Sequence, residues 1–383
     1  MSTALPPGRT VGVIGGGQLG RMMCIEARRL GFRTLVLDPD PQAPAAQVAD
    51  ETVVGALSDA DAMREMASRV QVATYEFENI DPDAVDVMAA LVPVHPSSAI
   101  LRLSQHRVRE KEALAHWGAP VPRFYSVQSR DDLEHALARL GFPAVMKTAT
   151  GGYDGKGQAL VRDATEAHGA YDGLRPRAPA LILEEWVDLA LEVSVICARD
   201  RNGRVVSYPT AENRHKDGIL DLTVAPARIP PALDREAQEL ARGLAVGWGL
   251  VGVLAVEMFV GRDGRLLVNE IAPRPHNSGH YTWEACSTSQ FEQLVRVVTG
   301  LPLGSTSAYR PAAMANLMGD LWQGQVPPDF ARMLEVPGVR LHLYGKAAAR
   351  PGRKMGHLAC LADTPDEALA RVERARERGI RSL

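Results

Sequence analysis

From Val11 onward, short apolar runs alternate with stretches of helical spacing, and the pattern predicts a strand at Val11 to Ile14, a helix from about Leu19, and strands near Leu35, Val72 and Val92. Strand and helix in alternation are the signature of an open parallel α/β sheet. Ser104 is placed to cap a helix running to Trp117, with Gly118 and Pro120 as stop signals, so a first boundary falls there. Beyond it the spacing predicts a helix starting at Asp131, with Glu134 completing a capping box, and strands at Ala144 to Lys147, Gln158 to Val161, Leu181 to Glu185 and Glu192 to Ala198. Asp234 to Gly300 reads as a helix and a strand pair. Pro311 to Leu383 reads as two strands and a closing helix near Asp366 to Arg378, in which Ala368, Leu369, Val372 and Ala375 share a packing face.

Length and charge narrow the class. At 383 residues the chain is long enough for two or three domains, each with its own core. Lys and Arg number 43 against 46 Asp and Glu, so no chain-wide positive field exists to gather nucleic acid or an anionic membrane, and any anion site is local. The most apolar uncharged stretch, Gly243 to Val256, is 14 residues long, short of the ~20 needed to cross a bilayer. The opening MSTALPPGRT does not read as a signal peptide, so a cytoplasmic location is expected. Cys24, Cys197, Cys286 and Cys360 lack metal or redox spacing and are expected to be free thiols.

Two glycine-rich loops carry the first chemistry. Gly15, Gly17 and Gly20 form G-x-G-x-x-G between a strand and a helix, with Asp38 ending the next strand. Alone this suggests a nicotinamide oxidoreductase, but amides at a helix N-terminus accept a sugar phosphate as readily as a pyrophosphate. The second loop, TGGYDGKG at Thr150 to Gly157, follows Lys147 and precedes another strand. It is not a Walker loop, which would open a helix. A strand, a glycine loop and a strand suit a flap closing over nucleotide phosphates, with Lys147 supplying fixed positive charge.

Asp263-Gly264 is a preferred two-residue hairpin turn between apolar runs. Counting outward from it pairs Arg262 with Arg265, Gly261 with Leu266 and finally Glu257 with Glu270. Two glutamates then face each other across the strands, so either one is protonated or a cation lies between them. Hard oxygen ligands beside phosphates suit magnesium, and Asn269 adds a further oxygen; a one-residue bulge would instead separate the pair.

Taken together, Lys147, the TGGYDGKG flap, EEWV at Glu184 to Val187, Glu192 and the Glu257 and Asn269-Glu270 set resemble the ATP-grasp superfamily of carboxylate-amine ligases. Within it, TYEFENI at Thr74 to Ile80, NEIAPRPHNSGH at Asn269 to His280 and RPGRKMGHL at Arg350 to Leu358 resemble the 5-(carboxyamino)imidazole ribonucleotide synthase family of purine biosynthesis. The resemblance implies an α/β ATP-grasp fold with an N-terminal parallel-sheet, Rossmann-like pre-ATP-grasp domain over 10–103. The ATP-grasp domain would cover 104–310, with a flap part at about 120–200 and a metal and substrate half at about 201–310. A small C-terminal domain would span 311–383.

It further implies that ATP phosphorylates bicarbonate to carboxyphosphate, and that the exocyclic amine of aminoimidazole ribonucleotide is carboxylated with release of ADP and phosphate, in a homodimer. Carried over by position, Arg107 and Lys147 would contact the ATP phosphates, with Gly152, Tyr153, Asp154, Gly155, Lys156, Gly157 and Gln158 covering them. Glu184, Glu185, Trp186 and Val187 would hold adenine, Glu192 the ribose, with His215 beside the nucleotide. Glu257, Glu270 and Asn269 would ligate magnesium. Tyr153, Asp154, Arg274, His276, Asn277 and Ser278 would surround bicarbonate and the imidazole, Glu76 and Asn79 would lie near the substrate, and the ribonucleotide phosphate would reach Gly17, Gln18 and Leu19 and the basic Lys346, Arg353 and Lys354. By residue type alone His215 and His276 are equally ordinary surface or core histidines. Competing readings are a formate-using glycinamide ribonucleotide formyltransferase of the same superfamily, a nicotinamide oxidoreductase and a non-catalytic nucleotide sensor.

Overall fold

The computed structural model describes residues 4–152 and 156–380. The first four strands, β1 (Thr10–Ile14), β2 (Arg33–Asp38), β3 (Glu51–Val54) and β4 (Val72–Tyr75), form a parallel sheet in the order β3-β2-β1-β4. The strand expected near Val92 reduces to a single bridge between Ala73 and Val94. Pro93 and Pro96 lie in that run and lack the amide a ladder requires. Strand β3 lies in a stretch to which the pattern assigned no element.

Two helix starts also differ from expectation. Ser104 ends the helix Ser98–Ser104, and the next helix, Arg107–Trp117, is capped by His106. It stops as expected at Gly118, whose φ of 92° is the left-handed conformation that favours glycine. The following helix is Arg130–Leu140, and its capping box joins Ser129 to Asp132 rather than using Glu134. Glu134 pairs instead with His168 Nε2 at 2.5 Å.

Strands β5 (Phe124–Val127), β6 (Ala144–Thr148), β7 (Gln158–Val161) and β8 (Leu181–Glu185) make an antiparallel sheet in the order β5-β8-β6-β7. The glycine flap joins β6 to β7, and Lys147 stands opposite Gln158 at its root. The third sheet contains β9 (Leu189–Arg199), β10 (Val205–Ser207), β11 (Ala211–Lys216), β12 (Ile219–Ala225), β13 (Gly252–Gly261), β14 (Leu266–Ala272), β15 (Ala312–Met318), β16 (Val339–Leu343) and β17 (Lys354–Leu361). Its order is β14-β13-β9-β11-β12-β15-β17-β16, with β10 on the side of β9. Strand β11, AENRHK, escapes the apolar pattern because it is mostly polar and buries only its first half.

The region after residue 311 has three strands, not two, and β15 pairs with β12, so it extends the large sheet. Its helix, Pro365–Gly379, buries Ala368, Leu369, Val372 and Ala375, as the packing face predicts. All four cysteines are free and buried. Among the described residues no helix is long and apolar enough to cross a membrane.

The corrected cap is testable. Ser129→Ala is expected to cost about 1 kcal/mol in urea unfolding, whereas Glu134→Ala, which removes only an exposed ion pair, is expected to cost about 0.5 kcal/mol or less.

Candidate active site

A cleft of about 630 Å³ opens where the three sheets meet. The parallel-sheet region contributes Gln18, Leu19, Glu76 and Asn79, the flap sheet Lys147, Gly152 and Gln158, and the large sheet Glu192, His215, Glu257, Asn269 and Glu270. Arg107 enters from its helix, Arg274, His276 and Asn277 from the turn after β14, and Lys354 from β17.

Glu257 does stand opposite Glu270, though not by the expected route. Strands β13 and β14 leave the turn with Val260 opposite Leu266, so the connection is longer than a two-residue turn and every pair as far as Met258 and Val268 is offset by one. A bulge between Met258 and Glu257 then admits Asn269 as the extra residue and restores the offset at Glu257 and Glu270. Two deviations cancel, and the bulge projects Asn269 beside the carboxylates. Asn269 Oδ1 is buried without a hydrogen-bond partner.

The charges of this cleft are paired with one another. Arg107 donates to Glu270 at 2.8 Å, and Lys147 to Glu184 at 2.9 Å. His215 Nδ1 lies 2.5 Å from Glu192. Arg274 forms a two-pronged pair with Glu78, one of whose contacts is 3.0 Å. Burial opposes ionisation of Glu270, but the charges of Arg107 and Lys147 and the hydrogen bond from Arg107 outweigh it and hold the carboxyl down at about 2. Glu184 is likewise held at about 2, its burial outweighed by Lys111 and Lys147. Glu78 lies below the usual carboxylate range because Arg274 outweighs its burial. His215 is raised, burial being outweighed by Glu192. Glu110, buried near the Glu270 charge, is pushed up to about 8.

His276 is oriented by a chain of buried polar groups. Thr223 donates to Asn213 at 3.1 Å, Asn213 to Ser194 at 2.9 Å, and Ser194 to Ser278 at 2.7 Å. The Ser278 hydroxyl and amide both meet His276 Nδ1, at 2.9 and 3.3 Å. An amide can only donate, so Nδ1 accepts and the ring proton sits on Nε2, 3.0 Å from Glu257 Oε1. Ser278 therefore serves His276 from outside the cleft lining. The next residue, Asn277, is buried on the cleft wall with neither side-chain polar atom hydrogen-bonded among the described residues. Ser194, Asn213 and Thr223 were missed in the sequence because isolated polar residues within strands carry no motif.

The first glycine loop departs from its expected role. Its amides already hold carboxylates of this chain: Gly17 and Gly20 donate to Glu76 at 2.6 and 2.8 Å, and Gly16 donates to Asp38 at 2.7 Å. A Cβ at Gly17 would lie 2.4 Å from Glu76 Oε1, so the glycine is needed for this approach. Gln18 and Leu19, not Gly17, reach the cleft.

Other expected residues lie off the cleft lining. Glu184 turns its carboxylate to Lys147, Glu185 binds Arg123 at 2.6 Å, Trp186 is exposed and Val187 is buried. Lys156 and Gly157 belong to the flap but not to the lining, and Tyr153, Asp154 and Gly155 fall outside the described residues. Of the basic cluster only Lys354 lines the cleft; Arg353 donates to Ala348 O at 2.9 Å and Lys346 stands over the Tyr344 ring. Glu78 and Glu110 line the cleft without having been singled out in the sequence.

Three family models match in chain order: a ribonucleotide synthetase preATP-grasp domain over residues 8–105, an ATP-grasp domain over 112–291, and a phosphoribosylaminoimidazole carboxylase C-terminal domain over 312–371. The N5-carboxyaminoimidazole ribonucleotide synthase of Brucella melitensis is 46% identical, over 93% of this chain and 97% of its own. The chain belongs to the N5-carboxyaminoimidazole ribonucleotide synthase family. A solved synthetase of this family in complex with ADP superposes with a TM-score of 0.93 at 43% identity, covering 98% of both chains. The family's enzyme from Aspergillus clavatus, solved with ADP and 5-aminoimidazole ribonucleotide, gives a TM-score of 0.88 at 35% identity, covering 97% of this chain and 98% of its own.

The Glu184 pair generates a stability prediction. Its folded pKa is depressed, so its contribution is complete above about pH 4.5, the ordinary glutamate range, and is lost as pH falls toward 2. Glu184→Gln leaves Lys111 and Lys147 buried without their counter-charge and is expected to cost about 3–5 kcal/mol at pH 7. Calorimetric melting at pH 7, 5 and 3 should show the gap between variant and wild type narrowing on acidification.

Proposed function

We propose that this chain carboxylates the exocyclic amine of 5-aminoimidazole ribonucleotide, using ATP and bicarbonate, and releases N5-carboxyaminoimidazole ribonucleotide, ADP and phosphate. The observation that carries this reading is the cleft in which a facing carboxylate pair, a lysine at the root of a flap and the unpartnered Asn269 oxygen converge. The γ-phosphoryl group passes to a bicarbonate oxygen, giving carboxyphosphate. The amine nitrogen then bonds to the carboxyl carbon, phosphate leaves with the C–O electron pair, and the nitrogen gives up a proton.

Phosphoryl transfer depends mainly on positioning and on charge stabilisation, and Arg107 and Lys147 are assigned to the phosphates on that ground. Gly152 and Gln158, with the rest of the flap to Gly157, cover them and limit the access of water to carboxyphosphate. The Glu184 to Val187 segment is assigned to adenine through its backbone groups, since its side chains lie off the cleft lining, and Glu192 to the ribose. Arg274, His276 and Asn277 face the bicarbonate and imidazole, Tyr153 and Asp154 are assigned to the same ligands by resemblance alone, and Lys354 with Gln18 receives the ribonucleotide phosphate. Glu76 is assigned to the substrate side, held in place by the glycine-loop amides.

Glu257, Glu270 and Asn269 fit magnesium as a partial ligand set. Among the described residues no group of three His, Cys, Asp or Glu side chains gathers as a complete metal site. Magnesium commonly takes one or two carboxylates and completes its shell with water and phosphate oxygens, and the unpartnered Asn269 oxygen suits that arrangement. When bound there, the ion would neutralise charge on the phosphates. We further assign the chain to the cytoplasm as a homodimer.

The test is ADP release with ATP, magnesium, bicarbonate and the ribonucleotide. ADP formation should require the ribonucleotide, and formate with glycinamide ribonucleotide should give none; ribonucleotide-independent ADP release would refute the reading. Glu270→Gln is expected to lower kcat by roughly 10²-fold or more while ADP binding without metal changes only a few-fold, since a charged ligand is lost and the side-chain shape is kept.

A further inference from the structure

Strand β14 is the outermost strand of its sheet, and the bulge at Asn269 interrupts its ladder with β13 at the point where the candidate metal ligands project. Two consecutive side chains of one helix hold the backbone there, in addition to the Val268 amide, which donates to Pro120 O at 2.7 Å. The Ile271 amide donates to Glu110 Oε1 at 2.6 Å, and Lys111 Nζ donates to Val268 O at 3.2 Å. These two contacts bracket Asn269 and Glu270 on either side. Glu110 and Lys111 are consecutive in the helix Arg107–Trp117 and are 2% and 1% exposed, and Lys111 also lies 3.7 Å from Glu184.

A buried acid and a buried amine are an expensive way to seal a helix against a strand, because apolar side chains of similar volume stabilise such a contact as well or better. Their donor and acceptor match the two backbone groups flanking the bulge. We propose that Glu110 and Lys111 are positioning residues for the metal edge: by clamping Ile271 and Val268 they set the direction in which Asn269 and Glu270 project. This rests on the assignment of Glu257, Asn269 and Glu270 as metal ligands. Misplacement of a site group by about 1 Å costs roughly 10²-fold in enzyme function, so two clamped backbone atoms are enough to matter.

The test reads ion binding directly. Mn²⁺ is titrated into the full chain with saturating ADP, and the free ion is followed by electron paramagnetic resonance. Glu110→Leu is expected to raise the Mn²⁺ Kd about tenfold or more, while ADP affinity without metal changes by less than about threefold. Glu110→Gln keeps an acceptor oxygen opposite the Ile271 amide and should restore the Kd to within about threefold of wild type. A wild-type Mn²⁺ Kd in folded Glu110→Leu overturns the inference, as does an equal loss of metal-free ADP affinity. Should that variant fail to fold, Lys111→Met read by the same two titrations decides. The underlying assignment fails separately: in that case Glu270→Gln binds Mn²⁺ as tightly as wild type does.

Discussion

Two carboxylates level with each other on neighbouring strands repel, and the organisation of the cleft follows from managing that repulsion. Arg107 reaches Glu270 from a helix of another layer, and His276 meets Glu257 from the turn that follows β14. Further out, Lys147 answers Glu184, His215 answers Glu192, and Arg274 answers Glu78. Each partner of a carboxylate is also a group assigned to a ligand. On the proposed assignment, binding a metal nucleotide would exchange one set of ion pairs for another, with the phosphates and the ion entering together as a matched pair of charges.

The chemistry of the site was more legible in the residues than its geometry. The Glu257 and Glu270 pairing came from counting through a turn taken as two residues long, and it is correct only because a bulge cancels the error in the turn. A glycine-rich turn shows in sequence because few residues adopt its backbone, whereas a bulge within an apolar strand leaves no compositional trace. For the same reason Glu110 and Lys111 went unread: in a helix of ordinary charged composition, only the tertiary packing shows which charges are buried.

The glycine loop teaches the opposite lesson. Its spacing correctly indicates that backbone amides converge on an anion, but spacing cannot show whose anion it is. Glu76 and Asp38 take the place that a phosphate occupies in a dinucleotide-binding protein. Strand and helix patterns fared best where apolar periodicity was strong, as in β1, β8 and the closing helix. They failed at β11 and near Val92, where polar residues or prolines broke the period.

The pairing of β12 with β15 welds the last seventy or so residues into the same hydrogen-bonded sheet that carries the cleft. That tail is thus not a removable appendage. Ending translation near residue 311 would bare the long flank of β12 to solvent, inviting intermolecular strand addition and amyloid-like association of the shortened polypeptide.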